Sequence, residues 1–433
     1  MLLASLWALE LCRLALPAAP IRALALSLFA LYLLIAALKA SRMALLLPVA
    51  LGSAAAAVAL LSGRPGDLIA GLEKALIFTA FIPTLAWLRA AAERTPAIAA
   101  SQTAFASMSG RERETGLMVG AHLLGAILTA GIFGLLAPLL PRDLPAADRL
   151  FAAQATLRGM CLAVLWSPCF VGMAIASQLL PTVPLWQTIP VGMALAGIGL
   201  VLADLMFGLR RPGVIWRATT RGFRPILPPL AIGAGSVVAV AGLTPLSSLD
   251  AVLSTLPPLG LAWLLANRPG QLGDAIRDTW QSLGRMGNDL LVISLAMVLA
   301  GALAANPGVD RLLGHASELD LPPTALIGGT LGLIVGASLL GLHPMVGIPV
   351  LIPLIAGLPG AGVSEPVLLL VAIYGWALGT LNSVSSLSVV LAAASFRVPM
   401  ERLVLSRNLA FVVVFTALSI VLLSILNAFW SQG

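Results

Sequence analysis

Charge is what this chain of 433 residues has least of: Asp, Glu, Lys and Arg together make up only 10% of it. An ordinary soluble domain carries about 25%. Lysine is nearly missing, with Lys39 and Lys74 its only two representatives, so the basic residues are arginines and the net charge is +7. The arginines sit in loops between apolar runs, where positive residues set membrane orientation, and no soluble basic module of a nucleic-acid-binding type is present. Nucleic acid is therefore excluded as a partner. Three cysteines (Cys12, Cys161, Cys169) are scattered and odd in number, which makes neither a disulfide framework nor a metal site. Three histidines (His122, His315, His343) lack metal-ligand spacing. There is no phosphate-binding loop ending in Lys-Ser/Thr, no His-Glu-x-x-His, no Gly-x-Ser-x-Gly and no Cys-x-x-Cys, so an ATPase, a metalloprotease or a haem protein is unsupported. No cofactor is expected beyond a coupling H⁺ or Na⁺.

What the chain has in abundance is apolar length. Apolar residues make up 59% of it, its mean hydropathy is +1.02, and runs of about 20 apolar residues, enough to cross a bilayer, recur from end to end. The fold class is an all-α polytopic membrane protein in the lipid bilayer. Candidate helices fall at 21–38, 43–62, 75–91, 116–137, 150–166, 169–181, 186–209, 226–243, 249–266, 290–305, 324–341, 345–357, 366–391 and 408–428. About twelve of these are expected to cross, with 169–181 and 345–357 as short limbs. Leu2–Leu16 looks like a signal segment, but Glu10 and Arg13 interrupt it and no basic stretch precedes it, so it reads as a retained interfacial or partial helix.

Orientation follows from the arginines. The stretch 210–225 holds Arg210, Arg211, Arg217, Arg221 and Arg224 with no acid, which marks a cytoplasmic loop of an inner-membrane protein. Counting outward, 244–250 faces outside, 267–289 inside, the acidic stretch 306–322 outside and the Arg397/Arg402/Arg407 loop inside, leaving the C-terminus outside. Between 322 and 397 an odd number of crossings is required. Three spans satisfy it, and so does a re-entrant hairpin plus one span. Within 271–289, Leu272, Ile276, Trp280, Leu283 and Met286 recur at helical spacing, with Asp274, Arg277, Asp278, Gln281 and Arg285 opposite. That is a helix lying in the interface plane.

Two motifs break the apolar runs: Trp166-Ser167-Pro168-Cys169-Phe170-Val171-Gly172 and Leu342-His343-Pro344-Met345-Val346-Gly347. Each is followed by a limb of about 13 residues before Pro181 or Pro359, reaching ~20 Å against a hydrocarbon core of ~30 Å. Proline removes a donor and frees a carbonyl, and non-helical backbone at depth persists only where it lines a cavity. Paired interruptions in two halves point to the binding site of a secondary transporter. With Gly66-Asp67 preceding one span as Gly273-Asp274 precedes another, the sequence predicts an internal two-fold repeat of 66–209 against 273–396. The flanking parts are N-terminal helices 1–65, linking helices 210–272 and a C-terminal helix 397–433.

Ser167 can cap a half-helix starting at Pro168, whose free N–H groups favour an anion; Cys169 would line the site and Gly172 would allow close approach. A simple kink is the alternative. His343 before Pro344 and Gly347 sits in a glycine-rich run, where imidazole can donate to a solute, titrate near neutral pH, or merely satisfy a carbonyl. A third cluster, Thr380, Asn382, Ser383, Ser385, Ser386 and Ser388, lies inside the apolar segment 366–391 and can hold solute or cation, or join helices. Asp204 is the one acid well inside an expected span and is the candidate coupling acid, with Thr380 and Ser385 as ion partners. Arg158 can pair with an anionic solute or snorkel to the interface, and His122 reads as a local hydrogen-bonding residue.

The order of parts resembles the ion-transporter superfamily of secondary carriers, which includes dicarboxylate, citrate and gluconate permeases and the large membrane subunit of tripartite carriers. The resemblance rests on 66–91, 150–181, 271–305 and 324–391: interfacial helix, span, Gly/Pro-broken hairpin and an Asn/Ser/Thr-bearing discontinuous helix, twice over. It implies scaffold and solute-carrying parts, two hairpins meeting at mid-membrane, and a homodimer or an accessory membrane or periplasmic subunit. The expected function is transport of a small, anionic organic solute coupled to H⁺ or Na⁺. The alternatives are an integral membrane enzyme of lipid-linked or envelope metabolism and a non-transporting subunit of an envelope complex.

Overall fold

The structure, a computed structural model, describes residues 1–16, 19–106, 110–141, 143–207, 224–225, 227–304 and 306–431. The arginine-rich stretch 210–225, Arg224 and Pro225 apart, lies outside the described residues. Among the described residues the secondary structure is helical, with no strand, and nine helices are long and apolar enough to cross a membrane. The protein is a multi-pass membrane protein. Its outermost helices, such as α2 (Ala19–Lys39) and the last helix Arg407–Trp430, expose Leu24, Leu31, Leu34, Val413, Val421 and Ile425. Lipid is the environment in which such a face costs nothing.

Polar contacts mark the two ends of the bundle. At one end Gln154 Nε2 donates to Arg402 O (2.8 Å), Arg407 lies over the Phe151 ring at 3.8 Å and Arg94 pairs with Asp278. This is the arginine face. At the opposite face Thr182 bonds Glu365, Ser364 N donates to Asn427 Oδ1 (2.8 Å) and Asn306 Nδ2 donates to Val58 O (3.2 Å).

The first helices are α1 (Leu2–Ala15), α2, α3 (Arg42–Leu61), α4 (Gly66–Leu76) and α5 (Phe78–Ala92). Helix α3 starts at Ser41, whose hydroxyl accepts from Ala44 N, the usual end-cap. After α6 (Pro96–Ala106), α7 (Gly110–Leu128) runs parallel to α9 (Ala146–Ala163): His122 Nδ1 meets Gly159 O (3.3 Å) and Ser167 Oγ donates to Ala126 O (2.5 Å). At Thr129–Gly131 a 3₁₀ turn reverses the chain, and the short α8 (Ile132–Leu136) leads back to Ala146 at the arginine face. The expected span 116–137 is thus a hairpin, entering from that face and turning inside the protein. Thr129 sits at the tip with φ +49°, an unusual value for a β-branched residue.

From the arginine face α9 rises to an interruption at 164–170 and continues as α10 (Val171–Leu179), reaching Thr182 at the opposite face. The 158–181 region, where the sequence allows either a hairpin or a kinked span, is a broken crossing. Helix α11 (Leu185–Phe207) returns, with Phe207 under the Arg158 guanidinium at 4.1 Å. Then come α12 (Leu227–Leu243), α13 (Ser248–Asn267) and α14 (Leu272–Leu283). Helix α14 buries Ala275, Thr279 and Leu283 while Ile276 and Trp280 stay exposed, as an interfacial helix should. Helix α15 (Gly287–Ala304) crosses to α16 (Pro307–Ser317), where Asn306 caps the start by accepting from Gly308 N and Val309 N. Helices α6 and α16 lie outside the apolar runs from which the spans are read; each is only 11 residues long, too short to cross.

Helix α17 (Pro323–Leu339) starts at the opposite face beside Gly362, and α18 (Pro344–Ala356) ends at Gly357, next to Leu313 of α16. Both limbs of 323–356 open on one face, so this is a re-entrant hairpin and only one crossing follows it. Gly341 at φ +96° makes the turn, a conformation glycine adopts without steric cost. His343 then caps α18 by accepting from Met345 N, with Pro344 at the first helical position, where its missing N–H costs nothing. The crossing is α19 (Glu365–Asn382), a break at 383–386, and α20 (Leu387–Phe396). The apolar segment 366–391 is thus split where its hydroxyls cluster, as its resemblance to a discontinuous helix implies. A short α21 (Met400–Val404) and α22 (Arg407–Trp430) finish the chain.

Candidate functional site

Four interruptions of helix meet around one cavity of about 380 Å³. Cys169, Phe170 and Val171 come from the α9/α10 break; Gly341, His343 and Met345 come from the α17/α18 hairpin. Thr380, Ser385, Ser386 and Ser388 flank the α19/α20 break, and Thr129 and Ala130 are the tip of the other hairpin. The fit is close. A Cβ on Gly172 would lie 2.4 Å from the Trp376 ring, and one on Gly379 would lie 2.5 Å from Pro344 Cγ. His343 stands edge-on to Trp376 with ring centroids 5.3 Å apart. Ser385 Oγ donates to Gly341 O (2.9 Å), tying hairpin to broken crossing, and pairs with Ser383 Oγ at 2.8 Å.

Each half-helix contributes an end. The N-termini of α10, α18 and α20 begin at the cavity wall with Val171, the His343 cap and the Ser386 cap. Free N–H groups and the positive end of the helix dipole favour negative charge there. Two hydroxyls on the wall have no hydrogen-bond partner, Thr380 Oγ1 and Ser386 Oγ, and their residues are 4% and 0% exposed. Leaving such groups unmade costs ~1–3 kcal/mol each, an expense a bound ligand removes.

The other candidates are distributed differently. Ser167 is 1% exposed, gives its proton to Ala126 O and accepts from Cys169 N (3.1 Å). With Pro168 it lines a separate apolar pocket of about 100 Å³ between α5, α6, α12 and α13, and Cys169 borders both spaces. Asn382 holds the hairpin by donating to Val335 O (3.4 Å), and its Oδ1 is buried without a partner. Gly347 faces Ile334. Asp204, 7% exposed, lies one turn from Phe207 near the arginine face, away from the cavity. Arg158 also stands apart, over Phe207. His122 accepts from Trp166 Nε1 (3.1 Å) at Nε2, which leaves Nδ1–H to donate to Gly159 O.

Sequence reasoning missed Thr129 and Asp289. Thr129 is a lone hydroxyl before Gly131 and Gly134 in an apolar run, a faint signal of a turn. Asp289 was read as the last residue of a loop; it lies in the first turn of α15 and lines the cavity.

No protein-family model matches this chain, and no curated protein matches it in sequence. Among solved structures, the YdaH transporter of Alcanivorax borkumensis, described as having an unusual topology, superposes with a TM-score of 0.57 at 14% identity, covering 90% of this chain and 99% of that one. The likeness is one of fold.

Proposed function

We propose that this protein is a secondary transporter that carries a small, anionic organic solute through the cavity between its two hairpins and two broken crossings. One observation carries the reading: in a chain with few charges, two hairpin tips and two broken crossings come together at one cavity whose wall carries hydroxyls, an imidazole and a carboxylate. Irregular backbone at membrane depth is tolerated where it lines such a space, and half-helix N-termini there suit an anionic group. Thr129, His343, Thr380, Ser385 and Ser386 line the solute site, with Gly172 and Gly379 setting the approach of its walls.

The hairpin-then-broken-crossing order occurs twice, entering from opposite faces, and supports an inverted repeat of 66–209 with 273–396. In this alignment the 129–131 tip corresponds to 340–343, and the Ser167-Pro168 break corresponds to 383–386. Positive residues are retained on the cytoplasmic side, which makes the arginine face cytoplasmic and leaves the C-terminus outside.

Solute counterflow in proteoliposomes, screened over small organic carboxylates and sulfonates, tests the function. Accelerated exchange that Thr380→Val weakens by about ten-fold, roughly 1.4 kcal/mol, is expected. Absence of exchange for every organic anion, with turnover of a lipid-linked substrate instead, would sink it.

A further inference from the structure

The cavity that suits an anionic solute also holds a carboxylate. Asp289 lines it, and its side chain is accessible rather than packed away. Among the described residues Asp289 makes no hydrogen bond or ion pair, and no Lys or Arg shares the cavity wall. A first-turn acid can be there simply to complement the helix dipole. This one, however, opens onto the same space as Thr380 Oγ1 and Ser386 Oγ, both buried and without partners. An anionic solute brought to that space meets a like charge in surroundings of low polarity, where repulsion is much stronger than in water. Neutralising the carboxylate removes the repulsion.

We infer that Asp289 is the monovalent-cation site of the cavity, binding a proton or Na⁺, and that its neutralisation is what admits the solute. The inference rests on the transport reading for its purpose, but the binding itself can be measured without any solute. Asp289 supplies the charge, and the two unpartnered hydroxyls on the same wall are oxygens of the kind that hold Na⁺. Around Asp289, α2 presents Tyr32, whose hydroxyl approaches the neighbouring Gly287, and α18 presents His343. Helix α3 carries Arg42 at its exposed start. The charged residues of α4, Asp67, Glu73 and Lys74, belong to the far half of α15, where Gly71 meets Val298. Asp204 faces none of these groups and serves as the comparison acid.

The test uses the full-length protein in detergent and liposomes with the cation alone as probe. In one arm Na⁺ replaces choline at constant ionic strength while melting and Trp fluorescence are followed. In the other, proton uptake is counted with pH-indicator dyes between about pH 8 and 3 without Na⁺, a range that spans ordinary carboxylate and imidazole titration. A Na⁺-induced rise in melting temperature identifies sodium, and a titrating proton insensitive to Na⁺ identifies H⁺. In either case Asp289→Asn should weaken the response at least ten-fold or remove one proton, Asp289→Glu should keep it with a shifted affinity or midpoint, and Asp204→Asn should leave it unchanged. Should Asp289→Asn fail to fold, the response of Asp289→Glu decides, through its shifted affinity or midpoint. The inference is overturned if wild-type protein responds to neither cation, if Asp289→Asn or Asp289→Glu responds as wild type does in both arms, or if Asp204→Asn abolishes the response. Solute counterflow that persists with an unchanged cation response in Asp289→Asn would leave transport standing and remove only this site.

Discussion

The two broken crossings, α9/α10 and α19/α20, solve the same problem in opposite ways. At the first, Ser167 gives and receives a hydrogen bond and Trp166 is held by His122, so the freed polar groups there find partners inside the protein. At the second, Thr380 Oγ1, Asn382 Oδ1 and Ser386 Oγ are buried with none. Satisfied polar groups rigidify a core; unsatisfied ones are costly and point to an absent partner. The first break is closed by its own contacts, and the second leaves hydroxyls open to a partner, which is why the proposed solute site is placed there.

That contrast can be broken or sharpened by mutation. The largest effect is expected from Gly379→Val, whose added atoms run into Pro344 and Ser338. Overpacking of this kind costs ~1–3 kcal/mol in stability, and the displaced hairpin should abolish solute exchange in proteoliposomes. Next, Ser167→Ala strands the Ala126 carbonyl and the Cys169 amide, so thermal unfolding in detergent should show a loss of ~1–3 kcal/mol. Thr380→Val and Ser386→Ala should behave in the reverse manner. Melting stays level or rises, because an unmade hydrogen bond is removed, while solute affinity falls about ten-fold, ~1.4 kcal/mol. If Ser167→Ala melts like wild type and Thr380→Val does not, the two breaks have been assigned the wrong way round. The smallest effect is expected for His343→Ala, which loses the cap of α18 at a cost of ~1 kcal/mol. His343→Asn, another good capping residue, should restore most of it.

Much of the fold was legible because a membrane imposes one rule on every residue. Length and apolarity marked the spans, proline and glycine marked the two motifs, and the run of hydroxyls at 380–388 marked the second break. Amphipathic α14 was found because its two faces differ in chemistry. The hairpin at 110–139 was not legible. Its tip is a threonine with positive φ rather than a proline, and by composition alone 114–139 is indistinguishable from a span. Pairing the two proline motifs was also misleading, since Pro168 breaks a crossing and Pro344 starts the return limb of a hairpin.

By itself the sequence determined the membrane class, three of the four places where helix fails at the cavity and most of the polar residues kept at depth, because each follows from local composition and backbone chemistry. Which failures face one another was decided only by tertiary packing. Direction of travel through the bilayer depends on whether a limb returns or continues, and that is fixed by contacts between residues far apart, such as Ser385 with Gly341 and Thr182 with Glu365. The same packing sets Asp289, which in the sequence reads as the end of a loop, on the cavity wall, and leaves Asp204 away from it.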